Sequence, residues 1–208
     1  MLIDKERGLF MDRLLNLPGI LIAIVFHELA HGLTAYWLGD NTAKDAGRLT
    51  LNPIKHIDPV GLLCMFIFRF GWAKPVPINP NNFKNRKRDT ILVSLAGVVT
   101  NFIIALISLG VIRLLYISNI TNSILYNMII ATFLFNIILG VFNLLPFPPL
   151  DGSKILASLL PTKYEYYFYK YEKYLYFVLI LLIISNSLDK IINPIFDIAL
   201  NIVMRILS

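Results

Sequence analysis

The chain has 208 residues, of which 57% are apolar and only 15% are charged, and its mean hydropathy is +0.68. This apolar content exceeds the roughly 45–50% of soluble domains and predicts that most of the chain lies in lipid. The net charge of +6 fits basic loops at the membrane edge, so no nucleic-acid partner is expected. The single cysteine, Cys64, excludes an internal disulfide and a cysteine-based zinc cluster within one chain. Any bound metal must therefore rely on histidine and carboxylate.

The N-terminal part predicts one membrane helix followed by a polar region. Residues 1–17 are short and mixed, with a surface helix over 11–15, and Pro18 suits the first turn of a helix that runs to Leu38. The alternation over 47–51 predicts a short strand, and a second strand is expected near 76–78.

These two strands predict a small β-hairpin or re-entrant region at about residues 45–80. Between them, the apolar run 60–70 is shorter than the about 20 residues that a membrane span needs. It is either re-entrant or extended by its flanks.

The later apolar runs complete the fold prediction. Segments 91–116 and 124–145 are long enough to span the membrane, and 175–184 with 191–207 supply one or two further spans. The fold class is therefore an all-α polytopic membrane protein with five or six transmembrane helices. We expect a single transmembrane domain over residues 1–208, with a core at 18–160 and C-terminal helices at 161–208.

The distribution of basic residues predicts the orientation. Loop 72–89 contains five lysines and arginines and loop 161–174 contains three, whereas 118–123 contains none. The positive-inside rule places the first two loops in the cytoplasm of a multi-pass protein of the cell membrane.

The strongest chemical signal is the segment 27–31, which reads H-E-L-A-H within the first predicted span. Residues four apart share one face of a helix, so His27 and His31 can direct both imidazoles at a single metal ion. Glu28 is placed to take a proton from an attacking water. The alternative is a set of polar side chains that satisfy one another inside a helix bundle. Three ionisable groups within one turn at membrane depth favour the metal site, because such groups are costly to insert and are functional by default.

A catalytic zinc keeps three protein ligands, so a third donor is required. Asp151 follows a predicted span in the run 143–152, which reads N-L-L-P-F-P-P-L-D-G. The three prolines forbid a regular helix and Gly152 permits a sharp turn, so the backbone breaks where the carboxylate must bend toward the metal. The alternative is that Asp151 only caps a helix over 152–160. His56, the one other histidine, is expected to be structural or interfacial.

These two motifs together resemble the site-2 protease family of intramembrane zinc metalloproteases, in its small prokaryotic form without PDZ or CBS domains. The resemblance rests on H-E-L-A-H in a membrane helix, followed more than a hundred residues later by P-P-L-D-G at 148–152. In that family, two histidines and the late aspartate bind one zinc ion and the glutamate is the general base. The matching positions here are His27, His31, Asp151 and Glu28.

Further matches extend the resemblance over roughly residues 18–160. Asn143 and Pro146 match the family's asparagine and proline ahead of its Asp-Gly pair. The segments 47–61 and 73–80 are similar to the loop and strand region of the small bacterial and archaeal members.

Two positions depart from the family pattern. Ser153 stands where many members have a second glycine, and 97–101 reads G-V-V-T-N, which is similar to the family's G-P-x-x-N without its proline. Asn101 and Asn143 are candidate donors to the developing oxyanion or to the substrate backbone. Asparagines in membrane helices also bond neighbouring helices, and both interpretations remain open at this point.

The sequence thus predicts an intramembrane zinc metalloprotease that holds one Zn²⁺ per chain and cleaves peptide bonds in or near transmembrane segments of membrane proteins. The alternatives are a divalent-metal transporter and a catalytically silent membrane scaffold. A transporter predicts polar residues along several spans. The expected partners are transmembrane substrates, the lipid bilayer, and either a second copy of the chain or a separate regulatory membrane protein.

Overall fold

The structure is a computed structural model. It describes residues 2–68, 71–120, 122–185, 187–188, 190, 193–194, 196–198 and 201, and within these the side chains of 2–14 and 65–68 are left undescribed.

Within the described residues the regular structure is helical. The helices in chain order are α1 Leu2–Trp37, α2 Thr42–Asp45, α3 Pro59–Phe68, α4 Arg86–Ile117, α5 Ser123–Asn143, α6 Asp151–Leu159, α7 Thr162–Lys170 and α8 Glu172–Ile184. The predicted break before Pro18 is wrong, because α1 continues through this residue. A proline inside a helix removes one backbone hydrogen bond, but its fixed φ is helical and the neighbouring turns continue on both sides.

Three of these helices are long and apolar enough to cross a membrane: Leu15–Trp37 within α1, then α4 and α5. At about 1.5 Å per residue, the 21 residues of α5 match a hydrocarbon core of about 30 Å. Helix α3, with 10 residues, and α8, with 13, are too short to span alone. The predicted total of five or six spans is not confirmed, and most of the predicted segment 191–207 lies outside the described residues.

Helices α1, α4 and α5 pack against one another and form the centre of the molecule. Ala105 of α4 packs with Phe133, Ile137 and Val141 of α5 in a buried apolar cluster. Gly19 brings α1 into backbone contact with α5, because a Cβ atom there would lie 2.7 Å from the Thr132 nitrogen. Small residues allow such close helix approach in membranes, where dispersion packing drives helix association.

The predicted β-hairpin at 45–80 is not confirmed. Among the described residues of this region, the pairing of Ile57 with Ala73 is an isolated antiparallel bridge, and neither predicted strand forms. Pro75 and Pro77 lack the N–H groups that a ladder through the second predicted strand would need. The segment 71–79 remains irregular, and we call it the cover segment because it lies against α1.

Asp40 anchors the C-terminal end of the cover segment to the end of α1. Its buried carboxylate accepts hydrogen bonds from the Asn79 backbone N–H at 2.8 Å, from Asn82 Nδ2 at 2.7 Å, and from the Thr42 N–H and hydroxyl at 3.1 and 2.5 Å. Burial alone would raise the pKa of Asp40, but these hydrogen bonds outweigh it and hold the pKa below its usual value.

An ion cluster around the buried carboxylate of Glu165 joins the two basic loops. Glu165 of α7 accepts hydrogen bonds from Arg86 and lies 3.1 Å from Lys87 Nζ, and Lys87 also donates to the Leu160 carbonyl at 2.5 Å. The loops that precede α4 and α7 therefore lie on the same side of the helix bundle.

Candidate metal centre

The structure brings together the three residues that the sequence predicts as metal ligands. His27 and His31 lie one turn apart on α1, and Asp151 is the first residue of α6, with each residue at most 6% exposed. Asp151 Oδ2 lies 3.1 Å from His27 Nε2 and 2.9 Å from His31 Nε2, and the two Nε2 atoms are 2.9 Å apart. Three potential donor atoms thus form a nearly equilateral triangle.

The hydrogen-bond partners of the two imidazoles fix their tautomers. His27 Nδ1 faces Asn101 Oδ1 at 2.5 Å, and His31 Nδ1 faces the Val93 carbonyl at 2.7 Å. A carbonyl oxygen only accepts, so each Nδ1 carries the proton and each Nε2 presents a lone pair. Two lone pairs and a carboxylate oxygen then converge with no hydrogen between them.

Such a set of acceptors is repulsive unless a cation lies among them, and its geometry fits zinc. Tetrahedral ligands at about 2.0–2.2 Å from zinc lie roughly 3.3–3.6 Å from one another, so the observed triangle with edges of 2.9–3.1 Å accommodates the ion when it widens by a few tenths of an ångström. A hydrogen bond from each metal-binding imidazole to an oxygen behind it is the usual second-layer arrangement of zinc sites.

Helix α4 passes unusually close to this triangle at Gly97. A Cβ atom at this position would lie 2.6 Å from both Cε1 and Nε2 of His31 and 2.7 Å from Cε1 of His27. In the sequence, Gly97 is the first residue of the G-V-V-T-N motif and carries no further signal. In the structure, its missing side chain makes the space that both rings occupy.

The proline-rich turn after α5 delivers Asp151. The N-cap of α6 is Leu150, and no side chain makes a cap hydrogen bond there, so the alternative that Asp151 serves only as a helix cap is not supported. Gly152 is required by close packing, because a Cβ atom would lie 2.2 Å from the Leu144 carbonyl oxygen. The second carboxylate oxygen of Asp151 accepts a hydrogen bond from Lys154 Nζ at 3.0 Å.

Glu28 lies at the border between the candidate metal centre and the cover segment. Its Oε2 accepts a hydrogen bond from the Val76 backbone N–H at 2.7 Å. Val76 is buried and packs where Gly32 leaves space on α1, since a Cβ atom at Gly32 would lie 3.2 Å from Val76 Cγ1. The carboxylate of Glu28, the residue after His27, is thus in direct contact with the cover segment.

The two predicted asparagine donors occupy different positions. Asn101 is fully buried behind His27, and its Nδ2 donates to the Ala23 carbonyl at 3.1 Å and to Asn136 Oδ1 at 2.8 Å. Both of its amide hydrogens are therefore engaged, and none is directed at a substrate oxyanion. Asn143 donates to the Leu139 carbonyl of its own helix at 3.0 Å, and its contact with substrate stays a prediction.

Sequence reasoning missed Asn136. The available signal was an amide in the middle of the apolar run 128–142, where an unpartnered polar group is costly. His56, in contrast, lies apart from the three donors: it is buried in the loop before α3, with Nε2 2.8 Å from the Thr50 carbonyl.

Comparisons with known proteins find similarity to metalloproteases. The model of peptidase family M50 matches residues 108–185. A Bacillus subtilis protein named "Putative zinc metalloprotease YwhC" is 34% identical over 212 residues, which cover 95% of this chain and 97% of that protein. "Putative zinc metalloprotease Rip2" of Mycolicibacterium smegmatis is 27% identical over 183 residues, covering 85% of this chain and 69% of Rip2. A zinc metalloprotease of Methanocaldococcus jannaschii is 28% identical over 147 residues, 71% of this chain and 34% of the relative. No solved structure matches the chain.

Proposed function

We propose that this chain, a zinc metalloprotease that belongs to peptidase family M50, the site-2 protease family, cleaves peptide bonds in or near the transmembrane segments of membrane proteins. The observation that carries the proposal is the meeting of two imidazole lone pairs and one carboxylate oxygen among helices long and apolar enough to span a membrane. A metal centre at that depth reaches peptide bonds that a soluble protease does not.

In this proposal, His27, His31 and Asp151 hold one zinc ion per chain. The bound ion supplies Lewis-acid chemistry, since it lowers the pKa of water and polarises a carbonyl. The Asn101 and Val93 oxygens keep both rings in the tautomer that offers Nε2. Lys154 holds the outer oxygen of Asp151 and leaves the inner oxygen for the metal.

Glu28 is the proposed general base. A carboxylate oxygen takes a proton from the attacking water and then delivers it to the amine nitrogen that leaves as the peptide bond breaks. The Glu28 Oε2 atom is engaged by the Val76 N–H. A carboxylate has about four acceptor sites, so the Val76 N–H orients Glu28 and leaves the carboxylate able to accept a proton from water.

The cover segment gives substrate a place next to Glu28. A transmembrane helix hides its carbonyls in hydrogen bonds, so it must unwind before cleavage, and an unwound segment can add alongside extended backbone. The contact of the cover segment with Glu28 through the Val76 N–H supports this role, and Asn143 stays a candidate for substrate contact. Asn101 is not proposed as an oxyanion donor, because both its amide hydrogens are used.

The proposed setting is the cell membrane, with residues 1–208 as one multi-pass protease domain. The contact of Glu165 with Arg86 and Lys87 supports placing the basic loops 72–89 and 161–174 on one side, and their charge favours the cytoplasm. Added to the three long helices, α8 and the predicted segment 191–207 as two further spans give five, and α3 extended by its flanks, the alternative to a re-entrant element, gives six. Partners are transmembrane substrates and either a second copy or a regulatory membrane protein.

A Glu28→Gln variant tests the catalytic assignment. Glutamine still accepts the Val76 N–H but has no proton-accepting carboxylate. We expect cleavage of a model transmembrane substrate to fall by about 10²–10⁴-fold with zinc content unchanged. Cleavage at the unaltered rate would exclude Glu28 as the base.

A further inference from the structure

A chain of buried amides runs from α5 through α4 to the metal centre. Asn136 and Asn101 are both fully buried. Asn136 Nδ2 donates to the Thr132 carbonyl at 2.8 Å, Asn101 Nδ2 donates to Asn136 Oδ1 at 2.8 Å, and Asn101 Oδ1 faces His27 Nδ1 at 2.5 Å.

The direction of this chain is set by main-chain carbonyls, which only accept hydrogen bonds. The Thr132 carbonyl requires the amide nitrogen of Asn136 on its side, so Asn136 turns its oxygen toward Asn101. The Ala23 carbonyl and that oxygen then take both amide hydrogens of Asn101. Asn101 is left with only its oxygen for His27.

The orientation of Asn101 decides whether His27 can bind metal. With the amide oxygen toward the ring, Nδ1 keeps the proton and Nε2 has a free lone pair. If Asn101 turned by half a rotation, its NH₂ group would face Nδ1, the ring proton would move to Nε2, and this nitrogen would be unable to bind a cation.

We propose that Asn136, acting through Asn101, is a positioning residue that selects the metal-binding tautomer of His27. The inference rests on the zinc ligands of the proposed function and adds a residue that touches neither metal nor substrate. It also explains an amide at the centre of an otherwise apolar membrane helix, where an isolated polar group would be disfavoured.

The first test measures zinc affinity by competition with a chelator on purified full-length protein. Asn136→Leu removes the acceptor for Asn101, and we expect zinc affinity to fall by about 10-fold or more, within the 10- to 100-fold range typical of second-layer residues. In Asn136→Asp, burial in the membrane favours the protonated carboxyl, which donates its O–H to the Thr132 carbonyl and accepts from Asn101, and we expect it to restore most of the affinity. The matched control is Ser108→Ala, which deletes a buried hydroxyl that donates to the Ile104 carbonyl of its own helix. Its zinc affinity should stay within about twofold of the parent, below the range of second-layer effects.

The second test separates positioning from general loosening of the helix bundle. Asn101→Leu and the double variant Asn101→Leu/Asn136→Leu should lose the same affinity, because Asn136 acts only through Asn101. Additive losses would overturn the proposal. If Asn136→Leu does not fold, Asn136→Ala replaces it in the same cycle.

A spectroscopic readout tests the tautomer itself. The chain has three histidines, so ¹⁵N-histidine labelling gives three rings to assign. In the metal-free protein, at a pH where imidazole is neutral, we expect the parent His27 to carry its proton on Nδ1. Asn136→Leu should shift His27 toward the Nε2–H form and leave His31, held by the Val93 carbonyl, unchanged. An unchanged His27 signal together with parental zinc affinity would overturn the proposal.

A His27→Ala variant distinguishes this inference from the proposed function. Full zinc occupancy without the His27 imidazole would contradict the ligand set and, with it, both proposals. Loss of zinc in His27→Ala with parental affinity in Asn136→Leu would contradict the positioning role alone.

Discussion

The metal centre and the cover segment lie against each other, yet they are held in different ways. The candidate ligands come from the long helix α1 and from the start of α6, and buried hydrogen bonds from α4 fix both imidazoles. Within the described residues, the cover segment has one isolated bridge at Ala73, single hydrogen bonds to other parts of the chain, and the packing of only two apolar side chains, Val76 and Ile78.

This difference matches two separate requirements, which are to hold a metal ion rigidly and to let a substrate reach it. A metal centre needs ligands held within a fraction of an ångström, which packed helices provide. A segment that admits substrate must move, and few stabilising contacts make local opening inexpensive. Glu28 joins the two regions, because its carboxylate is next to one ligand and is bonded to the Val76 N–H.

The largest expected effect comes from filling the space at the metal centre. Gly97→Ala places a Cβ atom within 2.7 Å of both imidazoles. The rings must move apart, and we expect zinc affinity to fall by about 100-fold or more, the upper range seen when the surroundings of metal ligands are altered. Zinc titration of the purified variant measures this.

Gly110→Ala is the matched control, since it lies on the same helix with nothing within 4 Å of the added Cβ atom. Alanine there should leave zinc binding unchanged and improve helix propensity by up to about 1 kcal/mol. Equal zinc affinity in the two alanine variants would contradict the described packing at the centre.

An intermediate effect is expected when the cover segment is loosened. Arg48 Nη2 donates to the Lys74 carbonyl at 2.7 Å. Arg48→Met removes this anchor, worth about 1–1.5 kcal/mol, and should speed amide hydrogen exchange of residues 71–79 by about tenfold. Mass-spectrometric exchange measures this, with zinc affinity expected to remain at the parental value.

Lys55→Met, at an exposed position of the same loop, removes a charge but none of these contacts and should leave exchange unchanged. Loss of zinc in Arg48→Met would show that the cover segment and the metal centre are one structural unit. This result would contradict the view that the two regions are held independently.

An effect of similar size concerns a second anchor of the cover segment, Asp40. Because the folded pKa of Asp40 lies below its unfolded value, its carboxylate contributes stability above the unfolded pKa of about 3.9, and this stability is lost as pH falls through the folded pKa. We expect Asp40→Asn to be less stable than the parent by about 1–2 kcal/mol near neutral pH, and this gap should shrink in acid.

Thermal unfolding in detergent, from neutral pH down to below pH about 3.9, measures this difference in stability. The control is Asp45→Asn, at an exposed position. A gap that is independent of pH would show that the carboxylate charge of Asp40 does not stabilise the cover segment.

The candidate ligands could be predicted because each of them lies in a local pattern of the sequence. The four-residue spacing of His27 and His31 dictates a shared helix face, and the prolines before Asp151 dictate a break in the backbone. Gly97 and Asn136 make contacts between helices that are far apart in the sequence. A glycine or an asparagine alone does not indicate which residue it will contact.

The hairpin prediction shows a different limit. The alternation over 47–51 is compatible with a strand, but pairing depends on available N–H groups in the partner, and Pro75 and Pro77 remove two of them. The number of membrane spans could not be predicted in the same region, because α3 has the apolar composition of a membrane helix but only 10 residues.

The most direct measurement of the central claim is the zinc content and the zinc X-ray absorption spectrum of the purified protein. Convergence of His27, His31 and Asp151 on one ion predicts one tightly held zinc per chain with two imidazole ligands and oxygen, and loss of that zinc when any of the three is changed to alanine. Full zinc occupancy in Asp151→Ala, or a spectrum without imidazole, would contradict it.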